Sequence, residues 1–64
     1  MKIHNTVNEK IIALLKQERA ITTSELAGVL KVSWNTAEKY LLELTIDGKL
    51  FRLKKQGVNI WLLK

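Results

Sequence analysis

The sequence predicts a small α+β domain of three helices, a short strand and a C-terminal β-hairpin, forming a single unit over residues 1–64. Three observations lead there. Apolar residues recur at helical spacing as far as residue 46, after which the pattern changes to short runs rich in β-branched, aromatic and aliphatic residues. Ser or Thr stands where a helix cap belongs ahead of each helical stretch. Proline is absent and glycine occurs three times, at Gly28, Gly48 and Gly57, the last two where turns are needed.

The elements follow in order. Thr6-Val7-Asn8-Glu9 fits a capping box, with Val7, Ile11, Leu14 and Leu15 forming one apolar stripe along a helix over about residues 7–18. Ile12 lies off that stripe. Ala20-Ile21 reads as a short extended piece. Thr22-Thr23-Ser24-Glu25 is a second capping box, opening a helix over about residues 23–30 whose inner face is Leu26, Ala27 and Leu30. Lys31-Val32 is the turn. Ser33 caps a third helix over about residues 34–46, with Ala37, Leu41 and Leu44 toward the core. Gly48 sits where a left-handed C-terminal cap would end it. Residues 50–54 and 58–63 form the hairpin strands around Lys55-Gln56-Gly57. A Gln56-Gly57 loop would set Leu53 opposite Ile60 and Arg52 opposite Trp61, while a slip of one residue would reverse the faces.

Composition excludes several classes of function. With 64 residues the chain has no room for a separate ligand-sensing domain, and a domain of this size buries only about 60% of its unfolded surface. The absence of cysteine excludes disulfides, thiolate zinc sites and iron–sulfur clusters. His4 is the only histidine and reads as an exposed terminal residue, since a metal site wants several such ligands. No metal and no cofactor is expected. No apolar run approaches the ~20 residues of a membrane span, and residues 1–6 lack a signal-peptide core. A soluble, cytoplasmic protein with no membrane partner is expected. Neither a Ser–His–Asp set, nor a carboxylate pair in a pocket-forming context, nor a glycine-rich phosphate loop is present, so an enzyme is not expected.

Charge is distributed unevenly. Residues 1–48 carry six Lys/Arg and six Asp/Glu, whereas residues 49–64 carry Lys49, Arg52, Lys54, Lys55 and Lys64 and no acid. The net charge of +5 therefore resides in the last quarter of the chain. Such a segment is a footprint for a polyanion, or a solvated hairpin whose lysines discourage edge-to-edge aggregation.

Glu25-Leu26-Ala27, Leu30, Val32-Ser33, Thr36-Ala37, Leu41, Leu44, Gly48 and Leu50 together resemble the winged helix-turn-helix pattern of many bacterial and archaeal repressors, over nearly the whole chain from Thr6 to Leu63. The resemblance implies a transcriptional regulator whose third helix enters the major groove of double-stranded DNA while the hairpin, the wing, lies on the flanking backbone or minor groove. The candidate DNA-binding residues are Ser33, Trp34, Asn35, Thr36, Glu38 and Lys39 at the start of the third helix and Arg52, Lys54, Lys55, Gln56 and Asn59 on the wing.

Several of these residues have two readings. Ser33 suits a helix cap and a phosphate ligand. Asn35 suits a bidentate pair with adenine or a solvated surface. Thr36 suits a phosphate contact or a half-buried position. Lys39 suits phosphate, guanine or solvent. Trp34 would lie against sugar or a thymine methyl, anchor a protein partner, or fold back toward Val32. The third helix carries one base, Lys39, against Glu38 and Glu43, which leaves affinity resting on the wing. It also keeps open a protein-interaction module docking through Trp34. Ile3, Ile12, Leu42, Ile46 and Trp61 exceed what one small core should hide, which points to a homodimer formed through the first helix and the wing face.

Overall fold

The computed structural model describes residues 5–64. The order is α1 (Asn5–Glu18), β1 (Ala20–Thr22), α2 (Thr23–Leu30), α3 (Trp34–Ile46), β2 (Leu50–Lys55) and β3 (Val58–Leu63). The strands form one antiparallel sheet in the order β1-β3-β2. The expected α+β architecture of three helices, a short strand and a C-terminal hairpin is therefore present. Among the described residues no helix is long and apolar enough to cross a membrane.

Local signals explain most boundaries. At α2 the capping box is complete: the Thr22 hydroxyl accepts from the Glu25 backbone N–H at 3.1 Å, and the Glu25 carboxylate accepts from the Thr22 N–H at 2.9 Å. At α3 the Ser33 hydroxyl accepts from the Thr36 N–H at 3.2 Å. The α3 C-terminus closes with the Gly48 N–H on the Thr45 carbonyl and the Lys49 N–H on the Leu44 carbonyl, each at 3.0 Å. This double closure requires a left-handed residue between helix and strand, and Gly48 has φ +83°. One start differs from expectation. Helix α1 is already formed at Asn5, so Thr6 lies in its first turn rather than ahead of it.

The turn between α2 and α3 has no glycine. Lys31 adopts φ 59°, ψ 46° and its N–H bonds the Ala27 carbonyl, so a left-handed conformation is held by a side-chain-bearing residue.

The core lies between the three helices and one face of the sheet. Ile11 and Leu15 come from α1, Leu26 from α2, and Ala37, Leu41 and Leu44 from α3. Ile21, Leu50 and Trp61 enter from the strands. Ile12 and Leu42, read as surplus apolar residues, pack against this core, and Trp61 is buried within it. Three of the five residues expected at a dimer contact are thus accommodated within the protomer. Ile3 lies outside the described residues, and Ile46 alone is openly exposed, at 83%.

The hairpin register is Lys55↔Val58, Lys54↔Asn59, Leu53↔Ile60 and Arg52↔Trp61, the pairing that a two-residue Gln56-Gly57 loop demands. Gln56 (φ 52°) and Gly57 (φ 81°) are both left-handed, as a type I′ turn requires. Asparagine tolerates the first of these positions better than glutamine does. Gln56→Asn should therefore stabilise the domain by roughly 0.5–1 kcal/mol, raising the urea midpoint without changing the slope. Gln56→Val should move the midpoint the opposite way.

Candidate functional site

Strand alternation sorts the hairpin side chains into two sets. Residues directly opposite in an antiparallel pair share a face. Leu50, Leu63, Ile21 and Trp61 therefore lie on the helix side of the sheet, with Arg52 opposite Trp61 and Lys54 and Asn59 next toward the tip. Phe51, Leu62, Leu53, Ile60, Lys55 and Val58 lie on the other side. The basic segment is thus divided: Arg52 and Lys54 share the α3 side, Lys55 is turned away at the tip, and Lys49 and Lys64 stand at the far end of the hairpin.

Four side chains fix the hairpin against the helices. The Trp61 indole Nε1–H donates to Thr23 Oγ1 at 2.9 Å, and the Thr23 hydroxyl donates to Glu38 Oε1 at 2.8 Å. Asn59 Nδ2 donates to Glu38 Oε2 at 3.2 Å. The chain joins β3 to the first turn of α2 and to α3. It exists because the largest core side chain carries an N–H. Burying a tryptophan removes about 150–250 Å² from water, worth about 4–6 kcal/mol at 25 cal/mol per Å². An unmet indole N–H would cost about 1–3 kcal/mol of that gain. Thr23, only 2% exposed, supplies the acceptor, and among the described residues no buried side-chain polar atom lacks a partner.

The predicted site residues separate accordingly. Ser33 and Thr36 are engaged with each other: the Ser33 hydroxyl donates to Thr36 Oγ1 at 2.9 Å while it caps the helix. Both oxygens of Glu38 and the amide of Asn59 are held in the network, so these two position the site instead of facing outward. Asn35 and Lys39 are exposed, one helical turn apart, on the side of α3 opposite Ala37 and Leu41. Arg52, Lys54, Lys55 and Gln56 are exposed on the hairpin.

Trp34, 48% exposed, does not stand alone. It lines a groove with Thr22, Thr23 and Ser24 from the start of α2 and Lys54, Gly57, Val58 and Asn59 from the hairpin. The threonine and serine side of this groove was not evident from sequence. Thr22 caps α2 as its capping box requires, but the box gives no sign that Thr23 turns inward to the indole.

A three-helix α+β domain with a three-stranded antiparallel sheet, and a groove between its third helix and a basic hairpin, is the class of protein these features define. The chain belongs to a family described as bacterial protein of unknown function (DUF977), matched over residues 2–60. No curated protein and no solved structure matches it.

Thr23→Val keeps the shape of the side chain but removes the hydroxyl that serves both Trp61 and Glu38. It should destabilise the domain by about 1–3 kcal/mol, lowering the melting temperature by several degrees in a chain this short. Thr23→Ser, which keeps the hydroxyl, should lose clearly less. Equal melting curves for the two variants would remove the network from the account of stability.

Proposed function

We propose that this domain is a winged helix-turn-helix that binds double-stranded DNA and serves as a cytoplasmic transcriptional regulator. Helix α3 is the element offered to the major groove, and the β2–β3 hairpin is the wing on the flanking backbone. The observation that carries the reading is the sorting of charge by strand alternation. Of the hairpin cations, Arg52 and Lys54 share the side of the sheet on which α3 packs, and Lys54 borders the same groove as Trp34.

The roles follow from exposure and chemistry. Asn35 and Lys39 reach base edges, Asn35 having the bidentate geometry for adenine and Lys39 for guanine or phosphate. Arg52 and Lys54, with Gln56 at the tip, bind phosphates and release counterions. Ser33 and Thr36 hold the start of α3, whose free N–H groups favour an adjacent phosphate. Glu38 and Asn59 hold the wing at a fixed distance from α3. One unit this small makes few base contacts, so two copies on half-sites one helical turn apart give the useful specificity.

A second reading, a protein-interaction module docking through the α3 start, is favoured by the exposure of Trp34. Salt separates the two. Fluorescence anisotropy with labelled selected and random duplexes at several salt concentrations should show binding that weakens steeply with salt. Arg52→Ala with Lys54→Ala should reduce the log–log slope by about 2, whereas Lys49→Ala with Lys64→Ala should leave it nearly unchanged. Asn35→Ala should lower the preference for the selected duplex by roughly 1–3 kcal/mol while sparing random DNA. No binding to any duplex at low salt would defeat the DNA reading. A salt-insensitive interaction abolished by Trp34→Ala would establish the second.

A further inference from the structure

The side of the sheet away from the helices is apolar and, among the described residues, has no covering element. Ala20 from β1, Phe51 and Leu53 from β2, and Val58, Ile60 and Leu62 from β3 share it by register, together with Thr22, whose hydroxyl is taken up by the α2 cap. None belongs to the core or to the partly buried residues packed against the core. Phe51, Leu53 and Val58 are each about half exposed. An apolar face of this kind on a small domain marks a contact surface.

Three features identify what fits it. The first is charge. The charged residues on this side of the hairpin are all cations: Lys55 at the tip end, and Lys49 and Lys64, whose backbones extend the pairing by a 3.0 Å bond, at the other. The Lys64 ammonium stands 5.7 Å from the centre of the Phe51 ring, on the patch itself. Of the two carboxylates near the opposite edge, that of Glu25 is turned into the α2 cap and that of Glu18 lies at the end of α1 beside Ala20, away from the hairpin lysines. The second feature is size. Six-residue strands give a face about 20 Å long and, with three strands, little more than 10 Å wide. An α-helix is about 10 Å across and covers 20 Å in about 13 residues. The third is area. A plane of little more than about 200 Å² falls well short of the ~800 Å² per partner of a stable protein–protein interface. A second copy would also bring a second set of lysines against the first.

We infer that the outer face of the sheet docks an acidic amphipathic helix of a partner protein, its apolar stripe on Phe51, Leu53 and Ile60 and its carboxylates on Lys49, Lys55 and Lys64. The contact is of the weak, transient class. It uses the side of the hairpin opposite α3 and stands independently of the DNA reading, so the domain can hold both partners together.

The test uses the full chain and a synthetic 14-residue peptide with leucines on one helical face and glutamates on the other, beside a permuted peptide of equal composition. In heteronuclear NMR titrations the amides of Phe51, Leu53, Ile60 and Leu62 should shift, with Asn35 and Lys39 unmoved. The permuted peptide should bind about tenfold more weakly or worse. Leu53→Ser, at an exposed position, should weaken binding about tenfold with the circular dichroism spectrum retained. Lys49→Gln, Lys55→Gln and Lys64→Gln together should weaken it several-fold and flatten its salt dependence. This triple variant, changed only at exposed lysines, tests the proposal even should Leu53→Ser unfold. Equal binding of both peptides, or shifts centred on α3, would overturn the proposal. So would a sedimenting dimer abolished by Leu53→Ser, which would make the occupant a second copy. Partition into phosphatidylglycerol vesicles through Phe51 and Leu53, without peptide binding, would replace the helix with a lipid surface.

Discussion

The indole N–H of Trp61 imposes the constraint from which the rest of the architecture follows. Once the ring is buried its donor must be met inside the protein. Thr23 meets it, and the hydroxyl that accepts there has a proton of its own to place, which goes to Glu38. Glu38 has a second oxygen, which takes the amide of Asn59. A packing decision in the core is thereby passed outward, group by group, until it fixes the hairpin against α3. The spacing between the helix and the basic strand residues is a by-product of satisfying one buried donor.

Much of the fold was legible in the sequence because its signals are local. The caps at Thr22 and Ser33, the stop at Gly48 and the loop at Gln56-Gly57 each act over three or four residues, and each is found where its chemistry places it. The inner residues of α3 were legible for the same reason, since Ala37, Leu41 and Leu44 follow one helical period. What escaped is non-local. Thr23 and Trp61 are 38 positions apart, and Glu38 and Asn59 are 21 apart. A threonine beside a cap gives no sign of turning inward, and a glutamate on an amphipathic helix reads as solvated until its partners arrive from other elements. The left-handed Lys31 escaped too, because nothing in its side chain asks for that backbone.

The candidate site was legible as a list but not as an arrangement. Of the residues named on α3 and the hairpin, Trp34, Lys54 and Asn59 line the groove while Lys55 is turned to the other side of the sheet, because pairing decides which of them face the same way. One register, Arg52 against Trp61 and Leu53 against Ile60, sends Arg52 and Lys54 to the side of the core and Phe51, Leu53 and Lys55 to the other. Composition alone had merged these into a single basic hairpin. The apolar surplus likewise belongs mostly to different residues from those the sequence suggested, because Trp61 is inside, Phe51 and Leu53 are out, and of the expected set Ile46 alone is openly exposed.

The hairpin tip beyond the Trp61 row has a different standing from the rest of the chain. From Leu53 to Val58 every residue is exposed and none contributes to the core. Its conformation depends on the ladder and on two left-handed turn residues, while the network ending at Asn59 anchors its base. Changes of side chain there leave the core contacts as they are and act on stability only through the turn and the ladder. The tip is thus a stretch whose side chains can be exchanged without touching the buried network, so its chemistry is free to differ while the scaffold that carries it does not.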